Sequence, residues 1–437
     1  MMLLLTVRKC IICDYRPIMI QKIFSSKFIS NAFVMVGGVA IAQLITIALS
    51  PIITRLYSPE DLGLLAFYVA LVSILAVVAT GQYQHAIMLQ KKVSAARHLT
   101  YVCLMLSAAF TLICLLFVVV FYDVINMALE EKALHKLLIL VPLGVGAASV
   151  LATLNMWFTW TKNFKSISST HIAASAVNNG TSIGLGTAIS LGQGVIWGHF
   201  IGQCCAAFYF LLRFMRAGQH DINHLKIRAL AKRYKKFPTI TLPHSLFSTL
   251  SIHLPSLILI GAFSPAIAGL YFLANRVANV PITILSQSLY PLLFGAFNES
   301  KNRAALYRKK FFYVNVIFLP LFVAFWCVAP ALFAFVFGAE WGRSGVYVQL
   351  ILPMLYCKFI SNLFTTPIYF IYERQFENFI FSALITLTIA LSLLYGAWLD
   401  DIVTGLVYMA LSNVFFILIK LSRAYGFVRL EKNTAAL

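Results

Sequence analysis

The sequence predicts an all-α membrane protein with 12 transmembrane helices in two six-helix bundles and both termini cytoplasmic. Three observations lead there. About a dozen apolar runs are each long enough to cross a bilayer, and hydrophobic residues make up 61% of the 437-residue chain against 11% charged. Landmarks of the first half recur in the second at a nearly fixed offset. Charged loops alternate with nearly uncharged ones. A run of roughly 20 apolar residues crosses hydrocarbon as a helix, because only a helix or a closed barrel satisfies every backbone group there. The function is therefore something done in or across a membrane.

The first 30 residues read as a basic cytoplasmic segment carrying Arg8, Lys9, Arg16, Lys22 and Lys27. Residues 1–18 fit poorly, since Met1–Leu5 is too short for a signal core and its basic residues follow it. Met19 is expected to be the native start. Span one, Ala32–Thr54, then ends before Glu60 and Asp61, and span two, Leu62–Tyr83, runs back towards Lys91 and Lys92. Span three, Leu99–Tyr122, ends at Asp123, and span four, Leu137–Trp160, follows Glu130 and Glu131 and ends before Lys162 and Lys165. Spans five and six, His171–Ser190 and Val195–Leu212, lead into a basic stretch from Arg213 to Lys236.

Span seven, Ile240–Ala262, and span eight, Ala268–Leu292, repeat the pattern up to Arg308, Lys309 and Lys310. Span nine, Phe311–Phe337, ends before Glu340; spans ten, eleven and twelve are Val346–Ile371, Phe379–Leu399 and Ile402–Leu421, with Asp400 and Asp401 between the last two. Of the basic residues outside the spans or at their ends, 28 fall on one side and 4 on the other. Positive loops stay cytoplasmic, which sets the orientation. The same bias accounts for the net charge of +20 without nucleic acid; contact with anionic headgroups is a secondary role for it. The expected domains are 31–213 and 240–422, joined by a basic linker at 214–239 and followed by a tail at 423–437.

The duplication rests on matched residues. Ser58, Pro59 and Gly63 recur as Ser264, Pro265 and Gly269, each 206 positions later, and Pro142 recurs as Pro353 at an offset of 211. Proline fixes its own φ and steers its predecessor away from helix, so each Ser-Pro pair starts a tight turn. Gly194, Gly198 and Gly202 in span six, and Gly180 and Gly184 in span five, have the small-xxx-small spacing of closely packed helices. Parallel repeats of this kind place a substrate site between the halves near the midplane.

Several spans carry polar stripes at helical spacing. Span eight has Arg276, Asn279, Thr283, Gln287 and Tyr290; span one has Gln43, Thr46, Ser50 and Thr54. Span two has Ser73, Thr80 and Gln84; span seven has Thr241, Ser245, Ser248 and Thr249 with His244 and His253 nearby; span ten has Lys358, Asn362, Thr365 and Tyr369. Interhelical hydrogen bonds explain isolated Ser and Thr, and His199 and His253 are weaker candidates because most membrane histidines are packing residues. The stripes together also fit a water-filled cavity.

Arg276 and Lys358 are the informative charges. Each sits roughly 12–18 Å from its outer helix end at 1.5 Å per residue. A cation at that depth costs about 2.5–3.5 kcal/mol even on the lenient insertion scale. No Asp or Glu lies inside a span to pair with either. They are neutralised by helix carbonyls, bathed by water, or visited by an anion. The substrate-binding expectation is therefore Arg276, Lys358, Asn279, Gln287, His253, Gln43, Gln84 and Asn362. No catalytic residue, cofactor or metal is expected. Cys10 and Cys13 form a lone C-x-x-C without further ligands, the other six cysteines lie in or beside spans, and no P-loop for ATP is present.

With these residues in view, Leu49-Ser50-Pro51-Ile52-Ile53-Thr54-Arg55-Leu56-Tyr57-Ser58-Pro59-Glu60-Asp61-Leu62-Gly63 resembles the opening signature of bacterial polysaccharide-biosynthesis flippases of the O-antigen translocase type. Gly81-Gln82-Tyr83-Gln84-His85-Ala86-Ile87-Met88-Leu89 looks like the second signature of that family, usually Arg-Tyr-Glu-x-Ala-Ile-x-Leu-Pro, and Phe337-Gly338-Ala339-Glu340-Trp341 is similar to a third. The resemblance implies the fold of the multidrug/oligosaccharidyl-lipid/polysaccharide exporter (MOP) superfamily, with two six-helix bundles in a V. It implies a cargo of undecaprenyl-pyrophosphate-linked oligosaccharide, moved from the inner to the outer leaflet of the bacterial cytoplasmic membrane by alternating access. Expected partners are that lipid-linked oligosaccharide, membrane lipids, and glycan polymerase or assembly proteins. Related lipid II flippases use cavity arginines on spans one, two and eight; Arg276 is the counterpart here by span. Gln82, Gln84 and Gln90 stand where Arg, Glu and Pro are usual.

Two competitors remain from the residues. A drug/cation antiporter of the same superfamily would favour a buried carboxylate. A membrane glycan polymerase would need acids or a metal at a catalytic centre.

Overall fold

The structure is a computed structural model that describes residues 26–124, 139–189, 193–216, 224–300 and 302–434. Met19, Cys10, Cys13, Glu130, Glu131, Leu137 and Ser190, all used in the sequence reading, lie outside the described residues. Those described are helical throughout, with no strand among them. In chain order the helices are α1 Ser26–Leu56, α2 Pro59–Ala79, α3 Gln84–Ile87, α4 Val93–Val120, α5 Leu140–Trp160, α6 Phe164–Ile189, α7 Gly194–Arg216, α8 His224–Arg233, α9 Leu242–Ala262, α10 Pro265–Glu299, α11 Arg303–Phe337, α12 Gly342–Ile371, α13 Gln375–Trp398 and α14 Ile402–Thr434.

Eleven of these are long and apolar enough to cross a membrane. The long helix not among them is α6, which corresponds to span five. Its polar side chains Ser166, Ser168, Thr170, Ser175, Asn179 and Ser182 are buried. It packs mainly between α1 and α7. Helix partners let it carry polarity that exposure to lipid would penalise.

Each Ser-Pro turn caps a helix as the duplication suggests. The Ser58 hydroxyl accepts from the Asp61 amide while the Asp61 carboxylate accepts from the Ser58 amide, a reciprocal capping box on α2. The Ser264 hydroxyl accepts from the Ile267 amide on α10. In both helices proline occupies the first turn, where no amide hydrogen is needed.

The two capped ends meet. A methyl group at Gly63 would overlap the Pro265 carbonyl oxygen, and one at Gly269 would overlap the Pro59 carbonyl oxygen. The duplicated glycines therefore let the first turns of α2 and α10 touch backbone to backbone in a two-fold arrangement. Nearby, the Trp341 indole donates to the Thr54 carbonyl at 3.0 Å. Tyr57 donates to the Ser182 carbonyl at 2.6 Å; burial, with Asp61 close by, pushes its pKa up to about 12, so it stays a donor. A single hydrophobic cluster joins residues of α1, α2 and α5 to those of α10, α11, α12 and α14.

Three sequence expectations need correction. Span two does not run to Tyr83: α2 stops at Ala79, and Gly81 and Gln82 have φ of 55° and 58°. Two successive left-handed residues cannot continue a helix. Gln82 closes the turn through Val77 and His85. Gln84 thus begins a separate short helix and leaves the span-two stripe. Gly180 and Gly184 have nothing within 4 Å of an added methyl, so they are not packing glycines. Gly194, Gly198 and Gly202 are, against Tyr57, Ser182 and Asn178. Lastly, the helices outrun the apolar runs that mark them: α10 continues to Glu299 and α11 starts at Arg303, because hydropathy reports the hydrocarbon depth and not the helix end.

Gly63→Ala and Gly269→Ala should each destabilise the protein by about 1–3 kcal/mol through overpacking. Gly180→Ala should be neutral or stabilising, as alanine is the better helix former. Thermal melts of the purified variants in one detergent check both; an unchanged midpoint for Gly63→Ala would contradict the tight α2–α10 contact.

Candidate functional site

Below the α2–α10 contact lies a cavity of about 520 Å³ between the first seven helices and the last six. Arg276 is seven residues along α10 from Gly269, so it stands roughly 10 Å below the seal at 1.5 Å per residue. α10 offers Tyr271, Phe272, Asn275, Arg276 and Asn279 to the cavity, one stripe at steps of three and four. α12 offers Lys358, α6 offers Asn178, Asn179 and Ser182, α7 offers His199, and α9 offers Ser251.

A second cavity of about 540 Å³ lies against α1, α5, α6 and α7 and reaches α10 at Arg276 and Val280. Gln43, His171 and Gln203 line it, and it shares Asn178, His199 and Arg276 with the first. Among the described residues no Asp or Glu lines either cavity.

Arg276 and Lys358 therefore face the same hollow. Both are half-buried. Neither has a hydrogen-bond or ion-pair partner among the described residues; Arg276 has only the Phe272 ring, with its guanidinium carbon 5.8 Å from the ring centroid. Helix carbonyls do not neutralise them. Their neighbours on the walls are neutral. Asn279 is positioned by its own helix, its amide donating to the Asn275 side chain at 2.6 Å and to the Asn275 carbonyl at 2.8 Å. Asn179 donates to the Ser175 carbonyl and to Thr46. Thr46 and Ser175 meet at 2.8 Å across α1 and α6. Ser251 is bonded to Thr386 of α13.

The structure thus brings Arg276, Lys358 and Asn279 together in the first cavity and adds Gln43 in the second. It does not bring the other four there. His253 is half-buried and outside both linings, although Ser251 and Ile252 beside it are in the first. Gln287 and Asn362 are exposed, each further along its helix than the cavity residue it was grouped with. Gln84 is 6% exposed and sits by Ala86 and Ile87, which pack with Leu99, Trp157 and Phe210 in a separate cluster. Sequence reasoning missed Asn178, Asn275, His171 and Gln203. Two adjacent carboxamides inside one span, Asn178 and Asn179, were the available signal. Among the described residues no group of three His, Cys, Asp or Glu could hold a metal ion.

Residues 52–345 match the family model described as polysaccharide biosynthesis protein. Among curated proteins no relative is found. The fold is similar to several solved transporters. The lipid II flippase MurJ in an inward closed conformation aligns with a TM-score of 0.68 at 13% identity, covering 90% of each chain. A multidrug resistance MATE family transporter of the MOP superfamily, inward-facing, gives 0.63 at 13% identity, covering 92% of this chain and 99% of that one. A MOP superfamily transporter from Pyrococcus furiosus, described as having a binding pocket of reversed polarity, gives 0.60 at 12% identity over 92% and 95%. Eleven membrane-crossing helices and this likeness make the chain a multi-pass membrane protein with a MATE/MOP-like fold.

An unpaired cation in a half-buried cavity lowers the stability of the empty protein. Arg276→Met and Lys358→Met should each raise the thermal midpoint of the ligand-free protein, by the equivalent of about 1 kcal/mol or more, since apolar replacement of buried charge is often stabilising. A lowered midpoint in both variants would mean that the charges are compensated in the folded state.

Proposed function

The chain belongs to the polysaccharide biosynthesis protein family, and from that premise we propose that it is a flippase for undecaprenyl-pyrophosphate-linked oligosaccharide. The cargo is an O-antigen or other surface-polysaccharide repeat unit, carried from the inner to the outer leaflet of a bacterial cytoplasmic membrane. One observation carries the reading: Arg276 and Lys358 face one cavity lined by no acid among the described residues.

The physical problem is to pass sugar and diphosphate through hydrocarbon. A hydroxyl stripped of water without a new partner costs roughly 2 kcal/mol or more. The carboxamides and hydroxyls of α6, α9 and α10 are substitute partners for the sugars. The polyprenyl tail stays in lipid. Arg276 offers a planar, permanently charged donor set suited to phosphate oxygens, and Lys358 a mobile point charge.

The basic loops support a cytoplasmic placement of both termini, with 12 spans and bundles at 31–213 and 240–422. On that orientation the α2–α10 contact is the outer seal. The cargo enters from the inner leaflet, and release outward requires Gly63 and Gly269 to part as the bundles rock about the site. Glycan polymerase or assembly proteins would act on the delivered unit.

A drug/cation antiporter of the same superfamily is the second reading. Cationic cargo would face Arg276 and Lys358 with no carboxylate to offset them, which disfavours it. A polymerase lacks acids at the cavity to work with.

Arg276→Ala should abolish surface glycan assembly while the protein still inserts, as read by lectin staining and immunoblot of membranes. Normal glycan output would remove Arg276 from the mechanism. Deleting the gene should leave lipid-linked oligosaccharide on the inner leaflet; accumulation of unpolymerised units outside would favour a polymerase.

A further inference from the structure

The second cavity differs from the first in what its walls still need. Thr46 and Ser175 line it but are already bonded to each other, and Ser175 also donates to the Ala42 carbonyl at 2.8 Å. Gln43 and Gln203 are different. The Oε1 atoms of both are buried and have no hydrogen-bond partner. They stand on α1 and α7, in the walls of one cavity. The Gln203 amide nitrogen is 3.1 Å from the His199 ring nitrogen, which fixes the side chain without satisfying its oxygen. Buried polar atoms without partners are rare in folded proteins and are costly to leave so. Neither oxygen has surface on the hollow as the side chains stand, so rotation of each carboxamide must turn its unspent acceptor towards a ligand that brings donors.

Charge narrows the ligand further. Among the described residues Arg276 is the only Lys or Arg lining this cavity, and it is also in the wall of the first. His171 and Asn178 add uncharged donors and acceptors, while Val39, Ile47 and Leu151 supply an apolar face. A volume of about 540 Å³ lies within the range of small-molecule sites, which is about 300–1,000 Å³. A neutral, hydroxyl-rich group with an apolar face and a covalently attached anion would fill it. We propose that this cavity is a sugar subsite that takes the saccharide unit next to the diphosphate, with Gln43 and Gln203 accepting from its hydroxyls and Arg276 holding the diphosphate at its mouth. The inference rests on the flippase reading, in which Arg276 meets the diphosphate; it adds which part of the molecule receives the adjoining sugar.

The arrangement divides the cargo between two chambers. The sugar beside the diphosphate enters the first bundle, and the remaining units occupy the cavity between the bundles. Selection of the reducing-end sugar then belongs to α1, α6 and α7, while tolerance for the rest of the repeat unit belongs to the wider hollow.

The test uses the full protein in nanodiscs and three probes: farnesyl diphosphate, farnesyl diphosphate-linked glucose and farnesyl diphosphate-linked N-acetylglucosamine. At least one sugar-bearing probe should bind about 10-fold more tightly than the bare diphosphate, as expected for two further hydrogen bonds. Gln43→Met and Gln203→Met keep side-chain length and remove the acceptor. Each should reduce that preference about 3- to 10-fold, and the pair should abolish it. The bare probe, which does not reach the subsite, should bind the variants as it binds the wild type, and so reports correct folding. A preference that survives in the double variant, or no preference in the wild type, overturns the subsite and leaves a merely hydrated chamber. Parallel loss of all three probes in the Gln variants also overturns it, by making the chamber structural. Failure of the underlying reading looks different: Arg276→Gln would then leave bare farnesyl diphosphate binding unchanged.

Discussion

A positive charge at membrane depth with no negative neighbour dictates what surrounds it. Its cost is about 2.5–3.5 kcal/mol or more if it faces lipid. Arg276 and Lys358 escape that cost by facing a hollow, and the hollow in turn needs walls that tolerate water or cargo. This explains the long helix that falls short of membrane-spanning apolarity. α6 carries Asn178, Asn179 and Ser182 at the cavity, and it is shielded by α1 and α7 rather than by lipid. The glycines of α7 let it approach α6 so closely that a methyl at Gly198 would collide with Ser182. The polar helix is thus clamped where its side chains serve the cavity.

The second constraint is geometric. α2 and α10 touch through glycine at one end, where each approaches the other's proline carbonyl. Beyond that contact the facing residues are larger: Leu65 and Val69 on α2, Tyr271, Phe272 and Arg276 on α10. The duplication therefore sets a close backbone contact beside the hollow that these larger side chains line. Because each half contributes the same Ser-Pro-x-x-x-Gly element, neither glycine can be replaced without disturbing a contact made by both halves.

Much of this was legible in the chain. Hydropathy locates the spans because the bilayer imposes its thickness on them. The absence of acids marks Arg276 and Lys358, since a charge without a partner is unusual whatever the fold. Asn279 follows from its place one turn from Arg276. Other features were not legible, for identifiable reasons. Gln84 continues the span-two stripe in sequence, but the left-handed Gly81 and Gln82 break the helix before it. Gly180 and Gly184 have the spacing of a packing motif on a face that meets nothing. In lipid, apolar helix faces and apolar helix contacts have the same composition, so spacing alone cannot say which face is packed. Gln287 and Asn362 share a stripe with a cavity residue and lie beyond the cavity's end, because a stripe has length and a cavity is only a few turns deep.

The makeup of the walls also bears on turnover. A carrier that grips a diphosphate with many cations would hold it too tightly to let it go. Here one arginine and one lysine meet neutral amides and hydroxyls. Span one supplies the carboxamide of Gln43 to the second cavity rather than a charge. Exchanging charge for carboxamide trades long-range attraction for short directional bonds, which depend on which hydroxyls the cargo presents. Empty, the two cations raise the energy of the protein; the anionic cargo proposed above would offset them. On that reading the unloaded state is the strained one, and loading would drive the relaxation from which rearrangement of the helices begins.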